Sequence, residues 1–112
     1  MLPQSVKVYI ATTPLDMRKS FDGMSALVTS DLRIDAYTGD LFVFLNKRGD
    51  KVKILYWDRN GFCLWHKRLE QGIFRMPHVK TKVYKINVSE LTLLLEGIDL
   101  TDKQRHRVYG AL

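Results

Sequence analysis

The residues best suited to chemistry in this chain stand together in one stretch, YWDRNGFCLWHKR, at residues 56–68. It holds the single cysteine, Cys63, and a histidine three positions later, His66, beside an aspartate and several basic side chains. Cysteine with histidine suggests either a nucleophile activated by a base or a metal centre. Both kinds of site require the two side chains to converge.

The spacing of Cys63 and His66 argues against both kinds of site. The stretch is predicted to form a strand, and positions three apart on a strand point to opposite faces. Zinc needs four converging ligands, and His78 and His106 show no paired pattern. The sequence also has no glycine-rich phosphate loop and no serine in a nucleophile-elbow motif. We therefore predict a protein that is not an enzyme and needs no metal or cofactor.

Positive charge is concentrated in the middle of the chain. Residues 46–85 carry a net charge of +8, whereas residues 1–45 and 86–112 each carry −1. Six of the twelve aromatic residues lie in the same central segment. A concentrated basic field favours binding to polyanions such as DNA. The alternative is a solvated surface that only keeps the protein in solution.

The central segment supplies most of the candidate binding residues. Its cations are expected to contact phosphates, and its tryptophans to add apolar contact, although at least one tryptophan is expected in the core. The predicted nucleic-acid-binding residues are Arg48, Lys51, Lys53, Trp57, Arg59, Trp65, Lys67, Arg68 and Arg75. Arg18 and Lys19 are candidates for binding a phosphate or an acidic partner. The alternative for Arg18 is an ion pair with Asp22.

The N-terminal third predicts a strand followed by a long helix. Apolar residues alternate over residues 6–10, which is typical of a half-buried strand. Thr13, Pro14 and an aspartate then resemble a helix start, and apolar residues recur at helical spacing over residues 17–32. The helix is therefore predicted to continue to about Arg33.

The rest of the chain predicts a meander and a short helix. Strands are expected over residues 41–46, 52–57, 62–69 and 83–88. Asn60-Gly61 is a strong hairpin signal, and Ser89 and Gly97 are expected to begin and end the C-terminal helix. The predicted fold is α+β, with a mainly antiparallel sheet of about five strands, a long N-terminal helix packed on it and a short C-terminal helix. One face of the sheet is expected to lie under the long helix. The other face is expected to display aromatic side chains among cations.

The length and composition of the chain limit the number of domains and the cellular locations that can be expected. A chain of 112 residues is expected to form a single domain over residues 1–112, and the weak pattern of residues 101–112 leaves the order of that tail open. No apolar run approaches the roughly 20 residues needed to cross a bilayer. One cysteine and no secretory signal pattern predict a cytoplasmic protein.

Five motifs follow one another along the chain: DMRKSFDG at 16–23, GDLFVF at 39–44, KILYWD at 53–58, KRLEQGIF at 67–74 and LLEGID at 94–99. As a set, they resemble the TnpB-type product encoded by the second reading frame of insertion sequences of family sixty-six. The resemblance runs from about Val6 to Asp99, with Ser20 standing where a glycine is common. It implies a role in transposition beside a separate, larger transposase, without the catalytic step.

Charge and resemblance together predict a non-catalytic accessory protein for DNA transposition. The expected partners are DNA, specifically transposon ends bound through the basic central β-meander, and the co-encoded transposase. No membrane and no small-molecule substrate are expected, and the oligomeric state stays open. The alternative is a module that binds or regulates the transposase without contacting DNA.

Overall fold

The computed structural model describes residues 5–97, within which five strands form one sheet and two helices pack against it. The strands are β1 (Val8–Ala11), β2 (Leu41–Leu45), β3 (Lys51–Asp58), β4 (Gly61–Arg68) and β5 (Val83–Ile86). Helix α1 comprises an α-helical part (Phe21–Ala26) and a π-helical part (Leu27–Leu32), and α2 is Val88–Leu95. Neither helix is long and apolar enough to span a bilayer. The prediction for the tail at 101–112 lies outside the described residues.

The sheet is mixed, so the prediction of a mainly antiparallel sheet is wrong. Its strand order is β4-β3-β2-β1-β5, and β1 pairs with β2 in parallel while the other neighbours are antiparallel. The parallel pair follows from the element order, because α1 lies between β1 and β2. A helical crossover carries the chain back to the starting end of the sheet, where only a parallel strand can begin.

The predicted long N-terminal helix is also wrong, because α1 begins only at Phe21. Residues 14–20 lie outside any helix and include a turn at residues 17–18. The Asp16 carboxylate accepts the backbone N–H of Arg18 at 3.0 Å, and the Asp16 carbonyl accepts the N–H of Lys19 at 3.0 Å. An aspartate bonded to nearby backbone N–H groups offers the chain an alternative to a helix, and here the alternative is adopted.

Lys53 on β3 stabilises this turn from below. Its ammonium group donates to the carbonyl oxygens of Met17 at 2.7 Å and Lys19 at 2.8 Å. In a continuous helix those carbonyls would accept from the N–H groups of Phe21 and Gly23, four residues on. A contact from a strand 34 residues away in sequence therefore decides where the helix starts, and helical periodicity could not reveal it.

The ends of both helices have identifiable causes. α1 stops where Arg33 enters the left-handed region at φ 58°. α2 is capped by Asn87, not by the predicted Ser89: the Asn87 side chain accepts the N–H of Glu90, and the Glu90 side chain accepts the N–H of Asn87. This reciprocal pair is a capping box. Gly97, at φ 83°, follows the end of α2 as predicted.

Both faces of the sheet are covered, so the expectation of one open face is wrong. Side chains alternate along each strand and feed two separate cores. The core under α1 contains Ala11, Leu15, Met24, Val28, Ala36, Phe42, Phe44 and Leu55. The core under α2 contains Val8, Ile10, Leu41, Val43, Val52, Ile54, Phe74, Ile86, Leu91 and Leu94. Strands buried on both sides read as nearly continuous apolar runs, which is the pattern of LFVFL in β2.

Candidate nucleic-acid interface

The strand register separates the predicted cations into two groups. β1 and β2 finish, and β3 begins, at one end of the sheet, which we call the cleft end. Lys51 pairs with Arg68 there. Arg59 lies in the turn at the other end of β3, roughly 23 Å away at about 3.3 Å per residue. One short ligand cannot contact both groups.

Three segments build the cleft end: the residues after β1, the turn at 46–50 after β2, and the loop at 69–82 between β4 and β5. The loop is fixed to the turn by the Phe74 N–H, which donates to the Gly49 carbonyl at 2.8 Å. It is fixed to β1 by the Thr12 hydroxyl, which donates to the Thr81 carbonyl at 2.6 Å. The loop therefore crosses the ends of β2 and β1 before it enters the sheet as β5.

These segments enclose a cleft of about 330 Å³, which we call the basic cleft. Its lining residues are Ala11, Thr12, Thr13, Pro14, Leu45, Asn46, Lys47, Arg48, Gly49, Ile73, Met76, Pro77, His78 and Val79. The cleft lies outside the carboxyl ends of the parallel pair β1–β2, which is where open sheets containing parallel strands commonly bind ligands. The sheet thus supplies a crevice at a chemically favourable place.

The turn that bears Lys47 and Arg48 is rigid. The Asn46 side-chain oxygen accepts the N–H groups of Gly49 at 2.9 Å and Lys51 at 3.0 Å. Its amide nitrogen donates to Asp50 at 2.7 Å. The backbone hydrogen bond of the turn is donated by the Gly49 N–H. The backbone N–H groups of Lys47 and Arg48 take no part in that bond. Both exposed cations are thus presented on a fixed backbone.

The electrostatics of the basic cleft favour an anion. No carboxylate occurs among the described residues that line it. Asp50 lies beside the lining residue Gly49, and there the hydrogen bond from Asn46 lowers the pKa of its carboxyl and the charges of Arg48 and Lys51 lower it further. Asp50 Oδ2 lies 4.0 Å from Arg48 Nε, which is a long ion pair. The field at the rim of the cleft is therefore positive.

Several cations near the cleft are available to a ligand. Within residues 5–97, Lys47, Lys51, Arg75 and Lys80 form no salt bridge. Arg75 and Lys80 are exposed and adjoin cleft-lining residues in the chain. Arg68 is paired with Glu70 at 3.0 Å, but both side chains are largely exposed. Exposed pairs of this kind are weak and exchange readily for other partners.

Two of the predicted phosphate contacts have structural partners instead. Lys53 is 7% exposed and is bonded to the turn before α1. Lys67 is half-buried, and its ammonium group donates to the Leu95 carbonyl at 2.7 Å, at the C-terminal end of α2. A cation there interacts favourably with the helix dipole and with carbonyls that lack a helical partner. These two lysines join elements of the fold.

Arg59 occupies the turn between β3 and β4, at the opposite end from the cleft. The register pairs Asp58 with Gly61, so the two turn residues are Arg59 and Asn60, one position earlier than the Asn-Gly signal indicated. Arg59 has φ 52°, in the left-handed region that strains a non-glycine residue. Its side chain is exposed and separated from the basic cleft.

Arg18 and Lys19 are exposed in the turn before α1. Arg18 forms a bidentate pair with Asp16, with nitrogen–oxygen distances of 2.6–3.1 Å. The alternative pair with Asp22 is wrong, because it assumed that both residues lie on one helix. The Arg18 guanidinium lowers the pKa of the Asp16 carboxyl well below its usual range. The Arg18 side chain is still 92% exposed.

The two tryptophans lie on opposite faces of the β3–β4 hairpin. Trp57 is half-buried among Tyr37 and Phe62, with ring centroids 4.9 and 5.1 Å away. Trp65 is on the α2 face opposite Ile54 and is 42% exposed. It borders an apolar cavity of about 190 Å³, which Leu95 also lines. β4 has β3 as its single strand neighbour within the described sheet.

Cys63 and His66 point to opposite faces, as strand alternation predicts. Cys63 is opposite Tyr56 on the α2 face, and His66 is opposite Lys53 on the α1 face. Desolvation lowers the pKa of His66, and the charges of Lys53 and Lys51 lower it further. Nowhere in residues 5–97 do three or more His, Cys, Asp or Glu side chains group to hold a metal ion.

Sequence reasoning missed most of the basic cleft. Of the lining residues it selected Arg48 alone and left out Lys47, Thr13 and His78, and it also left out Lys80, which adjoins the lining in the chain. The usable signal was the strand–helix–strand order of the first 45 residues, which predicts a parallel pair and hence a crevice at its carboxyl ends. The position of loop 69–82 over that crevice had no local signal.

Comparisons with known proteins agree with the motifs. Residues 6–105 match the family model described as IS66 Orf2 like protein. The uncharacterized protein y4jC of Sinorhizobium fredii (strain NBRC 101917 / NGR234) is 40% identical over 105 residues, covering 94% of this chain and 90% of its own length. The uncharacterized protein y4hO of the same organism is 39% identical over 101 residues, covering 88% of each chain. No solved structure matches. The resemblance is confirmed: the chain belongs to the IS66 Orf2 like family, which associates it with insertion sequences and an accessory role in transposition.

Proposed function

We propose that this protein is a non-catalytic accessory factor for transposition that binds DNA of the insertion sequence at the cleft end of its sheet. The observation that carries the proposal is a group of cations, most of them without a salt bridge within residues 5–97, around a cleft whose described lining includes no carboxylate. Phosphate oxygens are the natural ligands for such a group. Membership of the family supports a role in transposition, and the charge distribution supports contact with DNA.

The contact surface differs from the one the sequence suggested. It consists of Lys47, Arg48, Lys51, Arg75 and Lys80, with Arg68 at its margin. Lys53 and Lys67 are left out because their ammonium groups already bind backbone carbonyls. One phosphate contact from each of these five cations would give a slope of log K against log salt of roughly −4.5, at about −0.9 per contact on duplex DNA.

The test compares two double variants that each remove two exposed positive charges. Lys47→Ala with Arg48→Ala changes the cleft end, whereas Lys7→Ala with Arg59→Ala changes the opposite end. Fluorescence anisotropy with element-end duplex DNA is measured over a series of salt concentrations. The cleft variant should flatten the salt slope by about two units, while the control keeps the wild-type slope.

The results separate three outcomes. Absence of any salt-dependent binding by the wild-type protein would refute DNA binding as its function. Equal losses in the two double variants would refute the cleft end as the contact surface. A loss confined to the Lys47 and Arg48 variant supports the proposal.

A second candidate is a module that binds the co-encoded transposase without contacting DNA. It is favoured by Trp65, which is 42% exposed on edge strand β4 above an apolar cavity. An edge strand can accept an extended segment of another chain by strand addition. Lys51 and Arg68 at the end of the strand favour an acidic segment of the transposase. Arg18 and Lys19 would add contacts from the exposed turn.

Co-purification with the transposase after nuclease treatment distinguishes the candidates. A complex that survives nuclease and is lost in Trp65→Ser supports direct contact through β4. Survival of the complex in Trp65→Ser refutes that surface, and loss of the wild-type complex on nuclease treatment shows that DNA bridges the two proteins.

A further inference from the structure

The basic cleft is more than a charged surface, because apolar side chains share its lining with the cations. Its volume of about 330 Å³ lies at the small end of the range of about 300–1,000 Å³ that is typical of small-molecule pockets. Nonspecific contact with the phosphates of a duplex needs only surface cations. A cleft of this size can also admit a group about as large as one nucleotide.

The lining is divided by chemistry. Lys47 and Arg48 form the cationic part, on the turn after β2. Ile73, Met76 and Val79 of loop 69–82 form an apolar wall, and Thr12 to Pro14, just after β1, also line the cleft. An anionic group beside a flat apolar one matches this arrangement. A nucleotide has that chemistry, with a phosphate and a base joined by a sugar.

The cleft also contains polar side chains that could form hydrogen bonds with the edge of a base. The side chain of Asn46 is consumed by three hydrogen bonds within its turn. The Thr13 hydroxyl and the His78 imidazole, in contrast, form no hydrogen bond within the part of the chain that the structure describes. Both line the cleft and are exposed. They are available to a ligand at no cost to the fold.

We propose that the basic cleft binds one unpaired nucleotide of a DNA strand, with its phosphate at Lys47 and Arg48 and its base against the apolar wall of loop 69–82. This inference rests on the proposed function, because it names the form of DNA that the cleft end accepts. A base within an intact duplex is paired and stacked and cannot enter. DNA with single-stranded or frayed ends is therefore the preferred ligand.

The experiment uses the full chain and three DNA probes of one sequence: a single strand, a blunt duplex and a duplex with a short single-stranded overhang. At fixed salt, anisotropy should show the single strand and the overhang binding roughly fivefold more tightly than the blunt duplex, as expected when about 40 Å² of apolar base surface is buried against the aliphatic wall. A 2-aminopurine in the overhang should change its fluorescence on binding, because its environment changes when the base enters the cleft.

Thr13→Met places a longer, uncharged side chain in the cleft and should abolish the preference for unpaired DNA while duplex affinity is retained. Thr92→Met, at an exposed position on α2, is the matched control and should bind as the wild type does. Circular dichroism and thermal melting verify that both variants fold. An aliphatic side chain is chosen because a tryptophan would itself stack on bases.

Each result has one meaning. Binding to none of the probes refutes the proposed function itself. Equal binding to blunt and overhanging duplexes refutes the unpaired nucleotide and leaves DNA binding intact. A preference that persists in Thr13→Met refutes the cleft as its site. A free deoxynucleoside monophosphate can be added as a competitor. If it displaces the oligonucleotide at an equal concentration, the cleft is a mononucleotide site, and a DNA strand is refuted as its ligand.

Discussion

Replacing Lys53 with methionine tests the central difference between the sequence and the structure. The sequence placed Lys53 among the phosphate contacts, whereas the structure buries its side chain and bonds it to the carbonyls of Met17 and Lys19. Methionine has nearly the same length and volume, so packing changes little. The substitution removes the positive charge and both hydrogen bonds, and the turn before α1 loses its attachment to β3.

The expected cost follows from these contacts. A hydrogen bond from a charged group contributes about 1.5–3 kcal/mol, so two would contribute about 3–6 kcal/mol. Part of this gain is offset because the buried ammonium is desolvated and methionine is not. We expect the free energy of unfolding to fall by about 2 kcal/mol, which lowers Tm by about 10 °C in a domain of this size.

Lys51→Met is the matched control, two positions earlier on the same strand face. Lys51 is half-buried and forms no salt bridge within residues 5–97. Urea unfolding should show a change near zero for Lys51→Met, within about 0.5 kcal/mol. DNA anisotropy at a temperature where both variants are folded should show the reverse, with weaker binding only for Lys51→Met. Unchanged stability of Lys53→Met would refute the structural role of Lys53. Loss of DNA binding by folded Lys53→Met would refute it as well.

Three further predictions concern the helices and the hairpin. Gly23→Ala should raise the free energy of unfolding by about 0.5–1 kcal/mol, because an added Cβ meets only a flexible side chain at 3.4 Å; a lower Tm by calorimetry would contradict the placement of Gly23 within α1. Asn87→Ala removes the capping box with Glu90 and should cost about 1 kcal/mol in urea unfolding, whereas an unchanged midpoint would show that the cap is dispensable. Desolvation, with the nearby charge of Lys53, lowers the pKa of His66 below its ordinary value of 6.5. The unfolded chain then binds a proton more readily than the folded one, so the contribution of His66 to stability is fully present above pH 6.5 and is lost as pH falls through the lowered pKa of the folded state. His66→Gln should show a shallower decline in this acidic range, and identical pH profiles would argue against the shift.

The candidate site was predictable in its charge and only partly in its members. The excess of cations over residues 46–85 is a property of composition, and it directed attention to Arg48, Lys51 and Arg75, which lie at or beside the cleft end. It could not distinguish a lysine that faces solvent from one that bonds to a carbonyl. Lys51 and Lys53 share one strand face, yet only Lys53 lies beneath the turn before α1.

The sequence by itself determined what is local or additive: the strand segments, the short C-terminal helix, the net charge of the central third and the family motifs. Tertiary structure decided the start of α1, the parallel pairing of β1 with β2, the covering of both sheet faces and the basic cleft. The physical reason is the range of the contacts. Periodicity, turn chemistry and charge depend on residues within a few positions of one another. The bonds from Lys53 to Lys19 and from Thr12 to Thr81 join residues 34 and 69 positions apart, and no local pattern encodes them.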